Sequence, residues 1–152
     1  MKKIIVLLIL SFSGSVFALP DCPSNPSAYF NNCYGTWSDG NGYKYVGEWV
    51  NDFQHGEGIA NYANGDKFTG VFENGFRKSG TYEFVSRGDS YSGEYNSDGD
   101  MHGYGEYTFR DGEVRRGYYL DDEFIPHICA DMGLVEGSES FGDCVVELIK
   151  KL

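Results

Sequence analysis

Positive charge is scarce in this chain: 12 lysines and arginines stand against 23 aspartates and glutamates, for a formal net charge of −11. A nucleic-acid partner needs a footprint of lysine and arginine to displace counterions, so nucleic acid is excluded and binding to anionic lipid is disfavoured. Long apolar runs are also missing. The one candidate, from Ile4 to Leu10, falls short of the ~20 apolar residues a membrane span requires. Histidine occurs three times, and His55 and His102 hold the same place in two copies of a repeat, in the turn between paired strands. A catalytic histidine has no reason to recur at one register, so both are read as structural. His127 lies near Cys129 and Asp131, but a bridged cysteine cannot ligate and a fourth donor is not evident, so no metal is assigned. Asn96, Asp98 and Asp100 have the spacing of a calcium loop, yet Met101 and Tyr107 stand where such a loop needs glycine and glutamate. No phosphate-cradling Gly-x-x-x-x-Gly-Lys and no nucleophile elbow occurs. Beyond Phe124 only about 28 residues remain, too few for a separate catalytic domain. The expectation is therefore no catalytic residue, no cofactor and no enzyme.

What is present starts with a leader. Lys2 and Lys3, the apolar run and Val16-Phe17-Ala18 read as a secretory signal over residues 1–18, cleaved after Ala18, which places the mature chain in the periplasm or outside the cell. Loss of the two lysines makes it two charges more negative. Cys22 follows Pro20-Asp21 rather than a small residue, so lipid attachment is not expected. The four cysteines fall as Cys22 and Cys33 before the central region and Cys129 and Cys144 after it. Of the three connectivities open to them, the local one fits best, and each bridge would stabilise by about 3 kcal/mol. Residues 19–34 then form an N-terminal disulfide cap and residues 125–152 a C-terminal disulfide-linked cap.

Between the caps the chain repeats. Gly47, Gly70 and Gly93 recur with a constant interval, each flanked two places away on both sides by a ring: Tyr45 and Trp49, Phe68 and Phe72, Tyr91 and Tyr95. Period-two alternation puts those rings on one side of an extended strand. A second strand in each unit carries Ala60 and Tyr62, Tyr82 and Phe84, or Tyr107 and Phe109, with Trp37 heading the series. Asn41-Gly42, Asn64-Gly65, Arg87-Gly88 and Asp111-Gly112 separate the units, with glycine supplying the positive φ of a tight hairpin turn. In the tail, Pro126 opens a helix reaching about Met132 that Gly133 ends, and Asp143 caps a second helix with Val145, Leu148, Ile149 and Leu152 along one side.

The signature ring-x-Gly-Glu-ring, then Asn, His-Gly-x-Gly and Asn/Asp-Gly, is best seen in Gly47-Glu48-Trp49 and His55-Gly56-Glu57-Gly58. It resembles the MORN repeat, over residues 35–124. Asp52 stands where that family usually has glycine, Lys78-Ser79-Gly80 replaces the His-Gly pattern, and Arg115 takes a ring position. The resemblance implies a mainly β fold: an elongated single-layer antiparallel β-meander of MORN hairpins, here with a small C-terminal helical hairpin as cap. It also implies scaffold, dimerisation or membrane-association roles.

Rings make up 16% of the chain, more than the interior of a thin sheet must use. Tyr45, Phe68 and Tyr91 are expected to stack in one file with Trp49, Phe72, Tyr95 and Tyr119 beside it, and these seven form the candidate partner-binding face. The expected role is a non-enzymatic exported binding or scaffold module for a protein partner or a second copy of itself, the alternative being a module that binds membrane lipid or cell-envelope glycan.

Overall fold

The computed structural model describes residues 18–25 and 27–152. The leader expected over residues 1–18 lies outside the described residues except for Ala18. Among the described residues nine strands form one antiparallel sheet in sequence order, a pure meander: β1 (Cys33–Ser38), β2 (Lys44–Val50), β3 (Phe53–Asn61), β4 (Lys67–Glu73), β5 (Phe76–Phe84), β6 (Asp89–Tyr95), β7 (Met101–Thr108), β8 (Val114–Leu120) and β9 (Glu123–Phe124). Helices α1 (Ile125–Asp131) and α2 (Glu139–Ile149) follow.

Glycine sets the register. Gly35 pairs with Gly47, Gly47 with Gly58, Gly58 with Gly70, Gly70 with Gly80, Gly80 with Gly93, Gly93 with Gly105 and Gly105 with Gly117, a row crossing eight strands. Along this row one face carries no side chain, so neighbouring rings lie flat across the backbone. The row is closed at both ends. Cys22 sits against Gly35, at 2.6 Å from where a Cβ would stand, and the ring of Phe124 covers Gly117 at 2.8 Å.

Each unit bends beside its glycines at a bulge, and the size of the bulge follows the ring. In the first and third units two residues of the second strand are inserted: Glu48 pairs with His55 and Glu94 with His102. There the ring is tyrosine, and its hydroxyl donates to a backbone carbonyl at the bulge, Tyr45 to Glu48 (3.1 Å) and His55 (3.2 Å), Tyr91 to Glu94 (3.2 Å). In the second unit the ring is Phe68, which has no hydroxyl, and only Lys78 is inserted. One extra residue between Tyr82 and Tyr91, relative to Ala60 and Phe68, restores the spacing. His55 and His102 therefore lie on strands opposite glutamates and not in the turn expected for them.

The turns also differ from expectation. Gly42, Gly65, Gly88 and Gly112 do have positive φ, but in connections of four or five residues. The two-residue turns are Asn51-Asp52, Asn74-Gly75 and Asp121-Asp122, every member at positive φ. Asp52 stands in place of glycine because its carboxylate accepts the Phe30 amide at 2.6 Å, while its own amide donates to the Phe30 carbonyl at 2.8 Å. Asp122 holds Met101 in the same two-way manner, at 2.8 and 3.0 Å. Asx side chains tolerate the left-handed region, so the strain is modest and the turn gains a staple to the chain two strands away.

Both expected disulfides form, Cys22 with Cys33 and Cys129 with Cys144. At the N-terminal end Pro20 and Cys22 hydrogen-bond to Tyr34 and cover part of the β1 edge. Such cover blunts an exposed strand edge. At the other end α1 packs on β8 and β9 through Ile125 and Cys129, both fully buried. Gly133, at φ 83°, ends α1 as expected. Helix α2 is capped by Ser138, whose hydroxyl accepts the Phe141 amide at 3.2 Å, and not by Asp143, which lies inside the helix. No residue of α2 is buried, so it is held chiefly by α1 and the bridge.

Candidate functional site

The rings of the first strand in each unit are walled in by one another. The two expected files interleave into one zigzag: Phe30–Trp49–Tyr45–Phe72–Phe68–Tyr95–Tyr91–Tyr119. Centroid separations run from 4.9 to 5.5 Å and the planes are near perpendicular, from 77° to 89°. Edge-to-face contact sets the positive rim of one ring against the negative face of the next and contributes about 0.5–1.5 kcal/mol per pair beyond burial. This is the core of the protein.

That placement changes the candidate face. Of its seven residues, Tyr45, Phe68 and Tyr91 are 0% exposed, Phe72 2%, Tyr119 3% and Trp49 6%. Tyr95 is half-buried with its hydroxyl enclosed and lacking a hydrogen-bond partner. Burial pushes the Tyr45, Tyr91 and Tyr95 phenols well above their ordinary value, and takes Tyr82 and Tyr119 up to about 12. Glycine is the cause: with no Cβ at Gly47 or Gly58 the Tyr45 ring sinks onto the sheet, and its neighbours close over it. These seven rings present little surface to a partner.

A second file on the same face remains half open. It runs Trp37–Tyr43–Tyr62–Tyr82–Phe84–Tyr107–Phe109, with centroids 4.6 to 6.3 Å apart and planes inclined by 30° to 60°, the Phe84–Tyr107 pair being stacked. All but Tyr107 are partly accessible. The sequence marks most of these as second-strand positions. Their exposure was not readable there, because alternation names the face and not the depth at which a ring sits.

Carboxylates pin this file along its outer edge. The Asp66 side chain, only 6% exposed, accepts from the Tyr82 hydroxyl (3.1 Å), the Val85 amide (2.9 Å) and Asn64 (2.7 Å). Asp89 does the same one unit on, accepting from Tyr107 (2.8 Å) and the Arg110 amide (3.1 Å). Arginines cover the inner side. Arg77 lies 4.9 Å from the Tyr82 centroid and 5.0 Å from Tyr95, and donates to the Gly99 carbonyl at 2.6 Å. Arg87 sits 4.0 Å over Phe84 and Arg115 4.6 Å over Phe109.

In the loop read as an incomplete calcium site, Asn96 Oδ1 accepts the amides of Asp98 (3.0 Å) and Asp100 (2.9 Å), an Asx turn that uses the side chain locally. Among the described residues no group of His, Cys, Asp and Glu is placed to hold a metal ion.

A model of the MORN repeat matches residues 45–67 and 91–114. These two units are MORN repeats. The matched segments are the two units with tyrosine over the glycines and the larger bulge, and the shifted Phe68 unit lies between them. No curated protein matches the chain. On the core-bearing face of this sheet the second file is partly accessible, and more exposed rings stand outside both files at Tyr34, Phe53, Phe76, Tyr104 and Tyr118.

Proposed function

We propose that the chain is a non-enzymatic, exported binding or scaffold module that offers the aromatic face of its MORN sheet to a protein partner or to a second copy of itself. The observation that carries this reading is the half-open ring file from Trp37 to Phe109 on the sheet's core-bearing face. Rings of this kind supply large contact area at low entropic cost, the usual basis of binding hot spots. MORN repeats generally act as binding and scaffold modules, in keeping with it. Export is supported by the two disulfides, which persist in oxidising compartments. No helix among the described residues is long and apolar enough to cross a membrane.

Sedimentation equilibrium over a range of concentrations, together with retention of envelope proteins on the immobilised mature chain, tests the reading. The expected result is a dimer, or one retained protein that a Tyr62→Ala column fails to hold. A monomeric mass with no retained protein contradicts it, as does capture by vesicles or cell-wall glycan alone.

A further inference from the structure

The first unit holds a cavity of ≈ 470 Å³ that the ring file does not fill. Its walls are Phe30, Trp37, Trp49 and Phe53, with Asp52 and Gln54 at the polar side. Among the described residues Asp52 is the one ionisable residue lining it, and its carboxylate accepts hydrogen bonds only. Gln54 donates through Nε2 to the Tyr43 hydroxyl at 2.6 Å, and its carbonyl oxygen is an acceptor. The cavity thus combines aromatic surface, acceptors and one negative charge.

The same face already shows what such a setting takes. Gln54 pairs with Trp49 in β2–β3, and the matching position in β4–β5, paired with Phe72, is Arg77. Arg77 lays its guanidinium among Tyr62, Phe68, Tyr82 and Tyr95, and Arg87 and Arg115 each cover a further ring. In the first unit no arginine of this chain takes that place. Volumes in this range are those of small-ligand pockets, and the net charge of −11 draws cations toward the surface.

We propose that the cavity bounded by Trp37, Trp49, Phe53 and Asp52 accepts a guanidinium or alkylammonium side chain from a basic peptide segment of a partner protein. This deepens the binding role proposed above and rests on it. Aromatic faces attract a cation through their quadrupole, most strongly at tryptophan, and the carboxylate fixes the charged head.

The chain has two tryptophans, Trp37 and Trp49, and both line the cavity, so their emission reports on it directly. The mature protein is titrated with a short arginine-containing peptide and with the same peptide carrying citrulline, which keeps the shape and loses the charge. The expected result is a saturable emission change for the arginine peptide, on the order of tenfold weaker for citrulline and weakened by salt. Gln54→Arg, which places the chain's own guanidinium at the mouth, should abolish the response with the sheet's circular dichroism intact. Should that variant misfold, Asp52→Asn keeps an oxygen acceptor for the Phe30 amide and should reduce arginine binding alone. Equal response to both peptides, response only to a soluble sugar oligomer, or no response overturns the proposal. If the peptides fail while the protein dimerises or the wild-type column still retains a protein that Tyr62→Ala does not, the cavity assignment falls and the binding role stands; if the peptides fail, the mass is monomeric and nothing is retained, both fall.

Discussion

The ring of Tyr45 occupies the space a side chain on Gly58 would need: a Cβ built there stands 2.5 Å from the ring's Cε2. Tyr91 bears the same relation to Gly105, also at 2.5 Å. A single-layer sheet has no second layer to bury its rings, and bare backbone under them provides the burial instead. Gly58→Ala and Gly105→Ala should therefore each destabilise by about 1–3 kcal/mol, the range for overpacking a filled site. Gly142, inside α2 with open space around it, is the control: Gly142→Ala should stabilise its helix by about 0.5–1 kcal/mol. Urea denaturation of the three variants measures this.

Asp66 holds together two successive hairpins through Tyr82 and Val85. Asp66→Ala leaves the Val85 amide and the Tyr82 hydroxyl without that acceptor, at a cost of about 1–3 kcal/mol. Asp66→Asn, with one oxygen retained, should lose less. Equal stability of Asp66→Ala and wild type in thermal unfolding would count against the staple.

Alkali should unfold the sheet cooperatively. Burial raises the folded-state pKa values of Tyr82 and Tyr119 to about 12, against the ordinary tyrosine value of 10.0. Groups whose value is raised by folding contribute stability that is complete below the unfolded value and is lost as pH rises through the folded one. Tyrosinate absorbance and β-sheet circular dichroism should therefore change together between pH 10 and about 12. Independent titration of the phenols near the lower limit, with the sheet intact, would contradict this.

Helix α2 contributes no buried residue, so its attachment rests on α1 and on Cys129–Cys144. Replacing both cysteines by serine should release up to about 3 kcal/mol of closure stabilisation locally. Helical circular dichroism and amide protection over residues 134–149 should fall while the sheet retains its protection. Simultaneous loss of the sheet would show that the cap governs the whole array.

The meander, the ring side of each strand and the disulfide pairing were legible because each depends on local chemistry: alternation, glycine at turns, cysteines close in sequence. The glycine row was legible only in part. Gly47, Gly70 and Gly93 keep a fixed interval, but Gly58, Gly80 and Gly105 shift with bulge and turn length in each unit, so their register emerges only from pairing. For the same reason alternation alone marks Tyr45, Trp49, Phe68, Phe72, Tyr91, Tyr95 and Tyr119 as a candidate face without showing that the glycines let most of these rings be buried. Residue type alone points to Asp143 as the cap of α2, whereas the helix starts earlier, at Ser138, whose hydroxyl accepts the Phe141 amide.

The most direct test is site-specific photo-cross-linking in the native cell, with a photoreactive phenylalanine placed at Tyr62 on the aromatic face or at Tyr104 on the opposite face, where the ring is 54% exposed. A cross-link to one protein, or to a second copy of this chain, from position 62 and none from 104 is the predicted result. Cross-links from 104 alone, or from neither position, would contradict a binding role for the ring-bearing face.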